Sequence, residues 1–311
     1  MLDRCIALLS PSIEKSLAKK NQPVVIDATL GLGGHTHELL SRFPQLKVIG
    51  IDRDKSAIEK TEARLKEFSG RFTIVHAVYD QIPEVLNSLG FTQVDGILFD
   101  LGVSSMQLDF ADRGFSYANE APLDMRMDQS APLTAELVLN TYSHGELARV
   151  IRNYGEERFA SSIAANIVKA RSENRLRTTT DLAELVKASI PAPARRIGGN
   201  PAKRTFQAIR IEVNNELKVL ERAIPAGLDV LEVGGRMVVM SYQSLEDKIV
   251  KRAFQERTES KAPKGLPIEM KEFAPKFTLV FRGSESASDS EIEANSRAQS
   301  VRLRAIERSA A

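Results

Sequence analysis

From Val24 to Asp54 the chain runs VVIDATLGLGGHTHELLSRFPQLKVIGIDRD: a buried strand, a glycine-rich turn (Gly31, Gly33, Gly34), a helix, and a second strand ending in an acid. That order is how a doubly wound α/β domain makes a nucleotide-shaped pocket at its carboxyl edge. A GxGG turn alone selects little. With a strand before it, a helix after it and an acid about 20 residues on, it becomes a specific signal.

The same stretch proposes its own site residues. Gly33 and Gly34 read as points of close backbone approach, because β-carbons there would block a ligand. Asp54 suits a helix N-cap, which leaves Asp52 as the acceptor for two ribose hydroxyls. Asp27 ends the first strand, where it can order the glycine turn, face a ligand's cationic end, or simply cap that turn. His35 opens the helix, and its assignment rests on position alone.

Four strand candidates, Val24–Asp27, Lys47–Asp52, Phe72–His76 and Val94–Asp100, alternate with helical stretches such as Ser56–Phe68. Apolar runs without alternation, such as GILFD, suit parallel strands covered on both faces. Tyr79 follows the third strand and can offer a ring to an adenine or pack in the core. Asp100 closes the fourth strand, where a carboxylate points into the crevice. From Asp109 to Thr205 the pattern is loop and helix, with helices near Ala135–Asn140, Gly145–Tyr154, Glu156–Arg171 and Thr180–Ser189, the last capped by Thr180. A helix over Phe206–Ala223 then leads to strands Arg236–Ser241 and Phe277–Arg282, and Ser284–Glu293 reads as a loop. The expected fold is a class I, Rossmann-like doubly wound sheet with an inserted all-helical domain. Its divisions fall at residues 1–108, 109–205 and 206–311.

Composition narrows the function. No apolar run approaches the roughly 20 residues that span a bilayer. Cys5 is the single cysteine, which fits a reducing cytoplasm, and four scattered histidines make a zinc site improbable. The net charge is only +2, yet Arg149 to Arg210 holds 13 Lys or Arg against 5 Asp or Glu. A basic block within an otherwise acidic chain fits a polyanionic partner or a solvated helical face.

Six blocks resemble one family: DATLGLGGHT (27–36), IDRD (51–54), DGILFDLGVSSMQLDFADRGFSYANEAPLDMRMD (95–128), NPAKRTFQAIRIEVNNEL (200–217), GGRMVVMSYQSLEDKIVKR (234–252) and NSRAQSVRLRAIER (295–308). They are similar to those of the bacterial ribosomal RNA small subunit methyltransferase H family. The resemblance implies an S-adenosylmethionine-dependent enzyme that methylates N4 of a cytidine in the decoding region of 16S rRNA. It places cofactor contacts at Gly33, Gly34, His35, Asp52, Tyr79, Asp100 and Gln107. The chain departs from the family pattern in having Ala28 for a common Gly, and Asn200 and Gln243 where many relatives carry His. The short His-x-Pro-Val stretch usual before this point is not seen, which leaves a longer native start open.

The chemistry such a site must do is limited. A sulfonium methyl is already activated, so alignment of the nucleophile is the main task. Cytosine's amino nitrogen is a poor nucleophile, and an acceptor for its protons would stabilise the charge developing on it. Asp100, or backbone carbonyls in Leu101–Ser104, can be that acceptor; a cofactor contact is the competing role for Asp100. C5 methylation needs a cysteine nucleophile, and Cys5 is remote in sequence from the strand-tip motifs. The DPPY-type motif of many amino-methyltransferases is replaced by DLGVSS. Arg195, Arg196, Lys203 and Arg204 suit RNA phosphates, and Phe115, Tyr117 or Phe206 can stack on a base or fill a core. The expected partners are 16S rRNA or the assembled small subunit in the cytoplasm, without a membrane. A Rossmann dehydrogenase and a non-catalytic, cofactor-sensing assembly factor are the alternatives.

Overall fold

The structure is a computed structural model that describes residues 1–103, 113–195, 199–260, 262 and 273–311. They form two compact units, Met1–Gly102 with Leu217–Ala311, and Val103–Glu216.

The first unit is a seven-stranded sheet. Its strands are β1 (Val24–Asp27), β2 (Lys47–Asp52), β3 (Phe72–His76), β4 (Val94–Asp100), β5 (Leu231–Ser241), β6 (Phe277–Leu279) and β7 (Arg302–Arg308), in the spatial order 3-2-1-4-5-7-6. The first five run parallel, and β7 pairs antiparallel with both β5 and β6. Chain direction across the sheet reverses between β1 and β4, the switch point at which open α/β sheets bind ligands. Register places the acids: Asp27 pairs with Gly50 and Leu98, so Asp52 and Asp100 each reach two residues beyond it.

Alternate strand residues feed two cores. Ile26, Phe99 and Val239 pack with α4 (Ile82–Ser88), α11 (Glu216–Asp229) and α12 (Ser244–Thr258). Val25, Leu98 and Val238 pack with α1 (Leu2–Ala18) and α2 (Gly34–Arg42). Helix α3 (Lys55–Arg64) flanks β2 and β3. Coverage on both faces is why the strands read as continuous apolar runs.

The second unit is helical among its described residues: α5 (Ala135–Thr141), α6 (His144–Gly155), α7 (Ala160–Glu173), α8 (Thr179–Ser189), the short α9 (Ala192–Arg195) and α10 (Lys203–Asn214). Leu139, Leu147, Ile151, Ile163, Ile167 and Ile209 are its fully buried centre. The chain from Arg113 to Met127 is laced to that core. Arg113 donates to the carbonyls of Arg126 and Met127, and buried Asn214 exchanges hydrogen bonds with Met125 and Met127.

Several expectations are corrected. The second compact unit is Val103–Glu216, against the expected 109–205, and the packing of α10 in its core accounts for the later end. The expected helix Phe206–Ala223 is two helices, broken where Asn215 adopts φ 53°. The cap of α8 is Thr178, whose hydroxyl accepts from Asp181 N, not Thr180. β5 begins five residues early, at an irregular pairing with Val94–Gly96. β6 stops at Leu279 rather than Arg282, and Asp289–Ala294 is a helix, α13, capped by Ser288. Helix α1 and strand β7 were not anticipated. Pro11 argues against α1 by propensity, yet Ile6, Leu9 and Ile13 are fully buried, and that burial decides the matter. No helix among the described residues is long and apolar enough to cross a membrane.

Candidate active site

Glycine conformation sets the cradle. Gly33 is the N-cap of α2 at φ 70°, in the left-handed region, and a β-carbon there would meet Thr61 Cγ2 at 2.6 Å. Conformation and packing against α3 thus require a glycine here on their own account. Gly34 is different. A β-carbon on it would meet nothing within 4 Å, so the open space beside it is what a ligand would use. Thr61 also ties the turn down, donating from Oγ1 to Gly31 O at 2.7 Å.

Asp52 sits under this turn at the tip of β2. It accepts from Gly31 N at 2.7 Å on one oxygen and from Asp54 N at 2.8 Å on the other. Two backbone donors fix the carboxylate while leaving its remaining lone pairs available to hydroxyls. Burial pushes its pKa upward against those two bonds. Asp54 accepts from Ser56 N as the cap of α3, the division of labour expected from the sequence.

Asp27 turns inward and is 1% exposed. Its oxygens accept from Thr36 Oγ1 at 2.7 Å and from Thr29 N, so of the three readings it orders the turn. Thr29 in turn accepts from Asp100 N through Oγ1 at 2.6 Å, binding β1's exit to β4's tip. Burial raises the Asp27 carboxyl, opposed chiefly by His35.

Asp100 lies at the crevice with a side chain 32% exposed and His35 Nδ1 3.8 Å from its Oδ2. The hydroxyl of Tyr242, just past β5, also faces the carboxylate as a donor. Desolvation raises Asp100, while the imidazole and the phenol pull the other way. His35 Nε2 is buried without a hydrogen-bond partner among the described residues. Tyr79 stands edge-on to Phe99 of β4, centroids 5.6 Å apart, so one edge of its ring is packing. Sequence reasoning missed Thr29 and Tyr242, whose roles come from strand adjacency, and Thr61, whose role comes from α3 packing on the glycine turn. Gln107, Arg196 and Ser104 lie outside the described residues.

Cys5 is remote in sequence but not in space. Helix α1 brings its thiol near enough to Asp100 for that charge to raise its pKa, after burial has raised it further. A fully buried, protonated thiol is inert as a nucleophile, so C5 chemistry stays disfavoured on a different ground.

In the helical unit, Lys203 and Arg204 open α10 on an exposed face. Arg195 is partly committed, donating from Nε to Ile190 O at 2.6 Å. Phe115 and Phe206 are 7% and 4% exposed and belong to the core, with Tyr117 edge-on to Phe206, so neither Phe is placed to stack on a base. Much of the basic block is also structural. Arg210 pairs with Glu216, Arg175 with Glu136, and Arg171 bonds Leu139 O.

Comparison with known proteins meets this geometry. The family model described as the MraW methylase family matches residues 1–309. The chain belongs to the MraW methylase family. Among curated relatives it is 55% identical to ribosomal RNA small subunit methyltransferase H of Salinispora tropica, over 99% of this chain and 83% of that one. It is 56% identical to the protein of the same name from Pseudarthrobacter chlorophenolicus, over 98% and 93%. It is 57% identical to that from Saccharopolyspora erythraea, over 99% and 92%. The described site offers a carboxylate fixed by two backbone donors at Asp52, an open flank at Gly34, and a part-exposed carboxylate at Asp100.

Proposed function

We propose that the chain transfers a methyl group from S-adenosylmethionine to N4 of a cytidine in the decoding region of 16S rRNA. The observation that carries this is the cradle at the tips of β1, β2 and β4, found within a chain of the methylase family. In this reading Asp52 accepts the ribose hydroxyls, Gly33 and Gly34 let the backbone approach, and Tyr79 flanks the base. His35, Asp100 and Gln107 complete the cofactor contacts that the family resemblance assigns. Bound there, the cofactor supplies an activated methyl.

The chain's own residues do the rest. Asp100, raised by burial yet facing the crevice, accepts an amino proton as positive charge develops on the nitrogen. Lys203 and Arg204, exposed at the start of α10, with Arg195 and Arg196 nearby in sequence, hold RNA phosphates. The working partner is the assembled small subunit in the cytoplasm, since a base in folded RNA must be splayed out to be reached.

The test is incubation of small subunits lacking the modification with the protein and labelled cofactor, followed by mass mapping of the decoding region. One methyl on the exocyclic nitrogen of one cytidine is the expected product. A methyl at C5, on a ribose, or at no site would refute the reading.

A further inference from the structure

We infer that His35 is the proton-relay partner of Asp100, taking over the proton that this carboxylate collects from the amino group. The relay rests on the reading of Asp100 as that acceptor.

The placement is specific. His35 is the second residue of α2, held there by the Gly33 turn, and its Nδ1 stands 3.8 Å from Asp100 Oδ2. Its other ring nitrogen is buried with no partner among the described residues, an arrangement that native structures rarely keep without a use. Among the described residues, the other groups facing the carboxylate cannot take a proton from it. Tyr242, after β5, presents a hydroxyl that serves as donor. Asp27, on β1, is an acid whose oxygens already accept from Thr36 and Thr29. On α1, Cys5 is buried and held protonated, and the Met1 amino group is engaged by Glu291. Once a base covers the crevice and excludes water, the imidazole is the acceptor that remains among the described residues.

The step balances. The amino nitrogen's lone pair forms the new N–C bond as the C–S pair returns to sulfur. One N–H proton passes to Asp100 and from there, with the ring proton on Nε2, to His35 Nδ1. The products are a neutral thioether, a neutral methylamino group, the carboxylate and an imidazolium. The positive charge lost at sulfur reappears on the ring, so the net charge of the site is unchanged. The 3.8 Å gap must shorten for transfer, as such contacts commonly do when substrate closes a site. The side chain is 17% exposed, which lets the proton leave to water when product departs.

Three measurements test it. In the free protein, Asp100→Asn should move the 15N resonance of His35 Nδ1; an unmoved signal overturns the contact. With small subunits as substrate and cofactor at saturation, His35→Asn should lower kcat at least 30-fold, beyond any change in cofactor Kd. Added imidazole should return part of the rate to His35→Ala. A loss confined to cofactor Kd, or an unchanged kcat, overturns the relay and leaves His35 a binding residue. Asp100→Asn in the same assay separates the two claims. Full kcat there sinks the reading of Asp100 itself, whereas loss in Asp100→Asn beside an active His35→Asn sinks only the relay.

Discussion

Gly33→Ala should destabilise the first unit for two separable reasons. At φ 70° an L-residue carries left-handed strain of about 1–2 kcal/mol. The new methyl would also stand 2.6 Å from Thr61 Cγ2, and Thr61 is fully buried on α3. Relieving an overpacked contact of that kind costs roughly 1–3 kcal/mol more. Thr61→Ser removes Cγ2 but keeps the Oγ bond to Gly31 O, so it isolates the second cost. Chemical denaturation of the four proteins in the cycle should give about 2–5 kcal/mol for Gly33→Ala, with the crowding part recovered when Thr61→Ser is added. The strain part should persist in the double variant, and cofactor affinity should recover along with the crowding. Costs that simply add, with no recovery, would mean that Thr61 is not what makes position 33 a glycine.

Asp52→Asn leaves one backbone donor facing an amide N–H and removes the charged ribose acceptor, so cofactor Kd should rise roughly 10- to 100-fold, about the worth of one charge-assisted hydrogen bond; calorimetry showing less than a twofold change would remove Asp52 from the site. Asp27 is raised by burial, so folding favours its neutral form, and its contribution to stability is lost as pH climbs from the ordinary carboxylate value of about 3.9 through the raised folded value. Relative to Asp27→Asn, the parent protein should therefore lose stability with rising pH in denaturation series, and the opposite slope would contradict the burial argument. Lys203→Ala with Arg204→Ala should weaken RNA binding and reduce the salt slope of log K by about 1.4 to 1.8, and an unchanged slope would acquit this face.

What the sequence disclosed and what it hid divide along one physical line. β1 to β4 were legible because each is an apolar run closed by a polar residue, and Asp52 and Gly33 because both belong to one continuous strand–turn–helix–strand segment. β7 was not, because RLRAIER alternates charge with apolar residues. Two of its charges are satisfied by distant partners, Arg304 by Asp247 and Glu307 by Arg236. The break at Asn215 was hidden for a related reason, since nothing in QAIRIEVNNEL marks which Asn turns left-handed until Arg210 and Glu216 close the corner. The same division runs through the site. The glycine turn and Asp52 are a local device written within one strand–turn–helix–strand segment, whereas the group around Asp100 is assembled from α2, β4 and the exit of β5. Only the order 1-4-5 in the sheet brings His35, Asp100 and Tyr242 together. In the proposed reading, the grip on the ribose is therefore a property of the first βαβ unit, while handling of the proton is a property of the assembled sheet. A chain cut or permuted between β4 and β5 should accordingly lose turnover before it loses the nucleoside.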